Sequence, residues 1–313
     1  MRLVAIGDIA WDIVVRPSGE LVWGSDVYGA TDLLPGGSSA NVAVWARRLG
    51  AEAVLVGKVG DDRLGGLMRA HLAAEGVASH VLVEAGSATT RIAIVVRQDG
   101  EHAFVTDHSH PLRLVAGDLA PSLLEQADAV FLNGYAVFMA GSAAFASLLR
   151  EEARRQRVPV AFDPSSFALI RTYGANRLLD ELGPLDVLLG NEEELDALSE
   201  GRGAPALLER ARLVVIKQGA RGAAALRREP DNLSLGAGDG DMARVWRQPS
   251  WGGPLQQWTA PALPVRVVDT TGAGDAFDAA FLVEYVTHGD VARALIAGNR
   301  LGGRVAGSLG AQP

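Results

Sequence analysis

Residues 3–6, Leu3-Val4-Ala5-Ile6, form a short unbroken apolar run closed by Gly7-Asp8, the pattern of a strand buried on both faces. Residues 12–35 break the pattern with short alternating stretches punctuated by Pro17, Gly19, Gly24 and Gly29, which predicts hairpin strands with one wet face. A small-residue helix follows over 39–49, closed by Gly50, then a buried strand at 53–57 and a helix over 62–75. Residues 90–96 and 102–106 alternate again around Asp99-Gly100, a hairpin signal. From residue 128 the rhythm is regular. Strands at 128–132, 158–162, 186–189 and 213–216 interleave with helices near 141–156, 174–182, 192–199 and 203–210, and two long helices at 273–287 and 290–307 close the chain. Continuous apolar strands separated by helices predict a parallel sheet covered on both faces. The hairpin regions 12–35 and 90–106 read together as a small β appendage over one edge of it. Ligands of such sheets bind outside the carboxyl ends of the strands, where the appendage would act as a lid. Residues 228–258 have no period. They read as an extended hairpin loop in which Trp246, Trp251 and Trp258 pack locally, with gating of a nucleotide site or a subunit contact as the alternatives.

Composition narrows the classes of function. With 313 residues, 48% hydrophobic and 21% charged, one α/β body with an appendage is the economical reading. A net charge of −8 argues against nucleic acid or an anionic membrane as partner, although backbone amides and a few basic side chains can still hold a small anion. The chain has no cysteine, which removes disulfides, thiolate metal sites and a cysteine nucleophile. The N-terminal apolar run is too short for a signal peptide, and none approaches the roughly 20 residues of a membrane span, so a cytoplasmic location is expected.

The densest chemistry lies in Val267-Val268-Asp269-Thr270-Thr271-Gly272-Ala273-Gly274-Asp275-Ala276-Phe277. It reads as a strand ending at Val268, a glycine-rich turn, and a helix. Free amides at that helix start, with the positive end of its dipole, form an anion site, and Gly272 and Gly274 let an oxygen approach the backbone. A carboxylate at Asp275 would repel a phosphate. It makes sense as a base that takes the proton of a hydroxyl beside an arriving phosphoryl group. A plain turn with Asp275 capping the helix is the alternative.

The string resembles the D-T-x-G-A-G-D signature of the ribokinase-like (PfkB family) carbohydrate kinases, with every fixed position present. The resemblance extends along the chain. Pro35-Gly36-Gly37-Ser38-Ser39-Ala40-Asn41 looks like the family's first signature. Gly57, Gly60, Asp62 and Gly65 match its G-x-x-G-x-D-x-x-G stretch. Asn191-Glu192-Glu193-Glu194 matches N-x-x-E, which also makes a capping pair for the next helix, and Lys217-Gln218-Gly219-Ala220-Arg221-Gly222 resembles its nucleotide-side turn. The resemblance implies a doubly wound, mainly parallel α/β sheet flanked by helices in a single domain over 1–313, with the β lid from 12–35 and 90–106. It implies phosphorylation of a sugar-like hydroxyl by Mg·ATP. Asp275 would be the base, and the amides of Gly272, Ala273 and Gly274 would face the γ-phosphate. Asn191, Glu194, Lys217, Gly219, Arg221, Gly222 and Asn299 would lie on the nucleotide, with Glu194 reaching Mg²⁺ through water. Asp12, Gly37 and Asn41 would join Asp275 at the sugar, with Arg91 and His108 of the lid within reach. Asp269 and Thr271, beside the C-terminal segment from Ser308 to Pro313, would hold K⁺, although the chain stops before the serine that commonly follows.

Departures bear on specificity. Ribose-phosphorylating members carry Asn where this chain has Ala10, Lys-Gly where it has Ser38-Ser39, and Glu where it has Tyr135. The ribose pocket is therefore not reproduced, and fructose, a ketodeoxy sugar acid or a nucleoside stays open as acceptor. A catalytically silent sugar-binding regulator is the non-enzymatic rival. No Gly-Lys-Ser/Thr P-loop occurs and no G-x-G-x-x-G follows the first strand, while His108 and His110 lack a third metal ligand. A homodimer through the lids is a further expectation, from family habit and from strand edges that need covering.

Overall fold

The structure, a computed structural model, describes residues 1–97, 102–107, 109, 112–138, 142–229 and 253–313. Its main sheet has nine strands in the order β13-β12-β11-β10-β9-β8-β1-β4-β5. The parallel part comprises β1 (Arg2–Ile6), β4 (Glu52–Gly60), β5 (Ala78–Glu84), β8 (Ala129–Asn133), β9 (Val160–Asp163), β10 (Leu185–Asn191) and β11 (Ala211–Lys217). β12 (Ala223–Arg228) and β13 (Leu255–Ala260) add an antiparallel edge. Successive side chains of the central strands alternate between two cores. Leu3, Ala5, Phe131, Leu189 and Val215 pack under α1 (Ser38–Arg48), α2 (Arg63–Ala74), α7 (Ala273–His288) and α8 (Val291–Ala306). Val4, Ile6, Leu132, Phe162, Leu188 and Val214 face α3 (Ala143–Gln156), α5 (Ala175–Leu182) and α6 (Glu192–Leu198). A short α4 (Phe167–Tyr173), capped by Ser166, precedes α5.

The two hairpin regions join in one four-stranded sheet, β3-β2-β6-β7, from β2 (Ala10–Pro17), β3 (Gly29–Gly36), β6 (Thr90–Val96) and β7 (His102–Thr106). Its entry is anchored at Asp62, whose carboxylate accepts from Gly65 N, Thr89 N and Thr89 Oγ1 at 2.8, 3.0 and 2.6 Å. The G-x-x-G-x-D-x-x-G stretch thus ties helix α2 to the base of the lid.

Two expectations change, and a third holds in part. Residues 204–209 form a 3₁₀ turn rather than an α-helix. Val267 and Val268 are 59% and 51% exposed and belong to no strand, because an apolar pair beside Asp269 lies against the end of α8, with Val268 N donating to Ala306 O. The region 228–258 does start and end as a hairpin, since β12 and β13 pair antiparallel, and the Arg227 guanidinium lies 5.1 Å over the Trp258 ring. Trp246, Trp251 and the Asp99-Gly100 turn fall outside the described residues. Among the described residues no helix is long and apolar enough to cross a membrane.

Candidate active site

Strand polarity gathers the polar residues. Register pairs Asn133 with Asp163 and Asn191 with Lys217, so β8, β9, β10 and β11 all end in a polar side chain at one edge, beside Asp8 after β1. That carboxyl edge is where an open α/β sheet binds its ligands. The lid stands beside it, because β2 starts two residues after Asp8.

The glycine-rich turn meets this edge. Gly272 has φ 72°, the left-handed region, and a Cβ there would collide with Ala311, so glycine is required on two counts. Ala273 N donates back to Thr270 O at 3.2 Å, which takes one of the three expected phosphate-facing amides out of play in this state. Among the described residues no group accepts from the amides of Gly272 and Gly274, so the first turn of the sixteen-residue helix α7 keeps orphan donors for an anion. A Cβ on Gly274 would stand 3.4 Å from Lys217 Nζ, which places that ammonium beside the turn.

Asp275 is half-buried on the first turn of α7, and its Oδ2 accepts from Asn41 Nδ2 at 2.7 Å. Burial pushes its carboxyl up to about 6; Asn41 and Lys217 pull down, and Asp8 and Asp163 push up. Asp12 of β2 is 4% exposed and is raised to about 7 by burial and by Asp8, Asp275 and Asp269. Gly37 (φ 92°) turns the chain into α1 against Ile9 and Ala10, which brings Asn41 to Asp275. The expected sugar set, Asp12, Gly37, Asn41 and Asp275, is therefore brought together. Arg91 pairs with Asp107 inside the lid, and His108 lies outside the described residues.

On the nucleotide side Asn191 and Glu194 form a reciprocal capping box, with Glu194 N donating to Asn191 Oδ1 at 2.9 Å and Asn191 N to Glu194 Oε2 at 2.8 Å. Burial, then Asp163, pushes Glu194 up to about 7. Arg221 pairs with Glu192 at the surface beyond Gly219. Gly222 packs against the backbone of 260–262, and buried Asn299 donates to Ala260 O and Pro261 O at 2.8 and 3.2 Å. The amide nitrogen of Asn299 thus shapes the nucleotide-side wall rather than pointing freely into it.

Sequence reasoning missed three acidic groups. Asp8 accepts from Ser38 N and Ser39 N at 3.1 and 3.2 Å and from Asn133 Nδ2, and so occupies the amides at the start of α1. Asp163 and Asp278 flank Lys217 Nζ, Asp278 at 3.2 Å. Burial weighs against every charge in this triad. Lys217 nonetheless holds Asp163 below its ordinary range, while burial drives Asp278, beside Asp163, well above its own. The missed signals were carboxylates closing apolar strands and an Asp one turn after Asp275 on the same helix face.

Glu194, Asp163 and Asp275 share one ammonium, an excess of negative charge that fits a hydrated Mg²⁺. At the expected K⁺ site Asp269 accepts from Thr271 N and Gly310 N at 2.9 Å each and from lid His102 Nε2 at 3.1 Å, with the buried Thr271 Oγ1 beside it. A cation there would share the carboxylate with these donors.

The pattern describing pfkB family carbohydrate kinases matches residues 2–313. The chain belongs to this family. An ATP-dependent ribose-1-phosphate kinase of Halopiger xanaduensis is 30% identical over 319 residues, covering 100% of this chain and 94% of that one. Among solved structures, the adenosine kinase of Sinorhizobium meliloti superposes with a TM-score of 0.82 at 24% identity, covering 100% and 95%. Ribokinase of Giardia lamblia superposes with 0.80 at 19% identity, covering 99% and 96%, a likeness of fold. As a pfkB family member the chain is an ATP-dependent phosphotransferase acting on a hydroxyl of a sugar.

Proposed function

We propose that the chain, as one kinase domain with a β lid, phosphorylates a polyhydroxylated sugar-like acceptor from Mg·ATP, with Asp275 as base. One observation carries this reading: a carboxylate held by Asn41 sits at a helix start whose amides at Gly272 and Gly274 have no acceptor among the described residues. The acceptor hydroxyl would lose its proton to Asp275 as its oxygen bonds the γ-phosphorus, and the bond to the β-phosphate oxygen breaks to release ADP. The orphan amides and Lys217 would hold the charge of the transferring group. Asn191, Glu194, Gly219, Arg221 and Gly222 would line the nucleotide, and Glu194 would hold Mg²⁺ through water, neutralising phosphate charge.

The cleft beneath the lid sets the polar groups of Asp8, Lys58, Thr90, Thr106, Arg113 and Tyr135 among apolar Ile9, Ile92, Leu112 and Leu114, and those polar groups support a hydroxylated acceptor. Tyr135 is the one aromatic ring among its described lining residues. Burial, with Asp8 and Asp275 adding to it, raises the phenol and keeps it a neutral donor. ADP release with Mg·ATP against neutral sugars, sugar acids, sugar phosphates and nucleosides tests the reading; turnover confined to nucleosides would overturn it. The active form of the base is ionised, and its pKa is raised to about 6. We therefore expect kcat/KM for the acceptor to be flat near pH 7.5 and to fall as pH drops through about 6; a flat profile down to pH 5 would contradict the assignment.

We place the enzyme in the cytoplasm, where Mg·ATP is supplied, and pair two copies through their lids. Trp23, Tyr28, Leu33, Phe104 and Val105 are 101%, 93%, 48%, 60% and 66% exposed on the lid and its connecting loop, an apolar surface that association would cover. Light scattering at working concentration should give twice the chain mass, reverting on Trp23→Ser with Phe104→Ser. A monomeric parent would end the dimer proposal.

A further inference from the structure

Asn41 Nδ2 donates to Asp275 at 2.7 Å, Gln312 Nε2 donates to Asn41 Oδ1 at 2.7 Å, and His71 Nε2 stands 2.7 Å from Gln312 Oε1. An ionised carboxylate only accepts, so Asn41 must turn its nitrogen to Asp275 and its oxygen to Gln312. Gln312 must then present its nitrogen, which leaves its oxygen to accept from a His71 N–H. Every donor in the row points towards Asp275, and Asn41 is 3% exposed, leaving little room for water to substitute.

The tail is fastened without the Gln312 side chain. Trp45 Nε1 donates to Ala311 O at 2.8 Å, Gly310 N to Asp269 at 2.9 Å, and Arg48 to the carbonyls of Gln312 and Pro313 at 3.4 and 3.1 Å. These bonds use backbone atoms of the tail and leave the Gln312 side chain for Asn41. We infer that Gln312, backed by His71 of α2, is a positioning residue: it fixes the polarity of the Asn41 amide so that a donor, never an acceptor, faces the catalytic carboxylate.

The inference rests on the reading of Asp275 as base. Without Gln312 the Asn41 amide is free to flip, and an oxygen facing Asp275 favours its protonated form. The charged and titratable groups around Asp275 are Lys217 of β11, Asp8 after β1, Tyr135 after β8, Asp163 of β9, Asp12 of β2, Glu194 of α6 and Asp278 of α7. Around His71 they are Glu75 and Arg48. None of them changes in the test.

The test is the pH profile of kcat in Gln312→Leu, which removes the donor without adding charge, and in Gln312→Glu, nearly isosteric but acceptor-only when ionised. Both should move the acid limb to higher pH and cut kcat at pH 7 at least tenfold, with KM for ATP unchanged within twofold. His71→Ala, at a half-buried site, should shift the limb less in the same direction, and His71→Gln should restore it. Profiles of both Gln312 variants superimposable on the parent's would overturn the inference. Asp275→Asn separates the failures. If that variant is inactive while the Gln312 profiles stay put, only the positioning role falls; if it turns over normally, the base assignment falls and this inference with it.

Discussion

Asp275→Asn is expected to lower kcat by on the order of 10²- to 10⁴-fold at pH 7.5, the share a positioned general base contributes, with folding intact. The substitution keeps the shape of the side chain, and the Asn oxygen can still accept from Asn41. It also removes a carboxyl that burial holds up at about 6, so the thermal midpoint should stay level or rise. Coupled ADP release and a melting curve on the same preparation check both halves. Near-normal turnover in a folded variant would sink the base assignment. A collapsed midpoint would mean that Asp275 serves structure first.

The second large effect is on stability. Lys217→Met should cost about 3–5 kcal/mol at pH 7, the usual penalty for leaving a buried ion without its partner. Lys217 and Asp163 side chains are 14% and 4% exposed, and burial pushes Asp278, on the other side of the ammonium, well above its ordinary range. The sign with pH follows from linkage. In the parent, Lys217 holds Asp163 below 3.8, so the pair stabilises the fold above that pH. Without the lysine, burial lifts Asp163 above 3.8, and its ionisation opposes folding at every higher pH. The deficit should therefore be largest near pH 7 and shrink towards pH 5. Adding Asp163→Asn should recover much of the loss, because it removes the stranded charge. Urea midpoints of the three proteins at pH 5 and 7 test this; a pH-independent deficit would mean lost packing rather than lost pairing.

The sequence was most legible where local patterning and tertiary role agree. Strands 90–96 and 102–106 emerge with their bounds because alternation around a turn is a local signal. The central strands emerge because burial on both faces writes a continuous apolar run. Edge strands were missed. Leu255–Ala260 reads Leu-Gln-Gln-Trp-Thr-Ala, and Ala78–Glu84 is exposed at both ends, since one edge of each is wet and little selects for apolar residues there. Val267-Val268 misled for the opposite reason, being apolar yet exposed beside the glycine-rich turn. The glycine turn, Asp275, Asn41 and the Asn191–Glu194 box were readable as motifs because each sits on one continuous segment. Asp163 with Lys217 and Gln312 with Asn41 were not, since 54 and 271 residues separate the partners and only the fold brings them together.

The most direct test of the central claim follows phosphorus itself: incubation with Mg·ATP labelled at the γ-position, an acceptor panel, and separation of products. We expect label on an oxygen of one sugar-like acceptor class, mole for mole with ADP, and none with Asp275→Asn. Label released only as inorganic phosphate, or transferred equally well by Asp275→Asn, would contradict it.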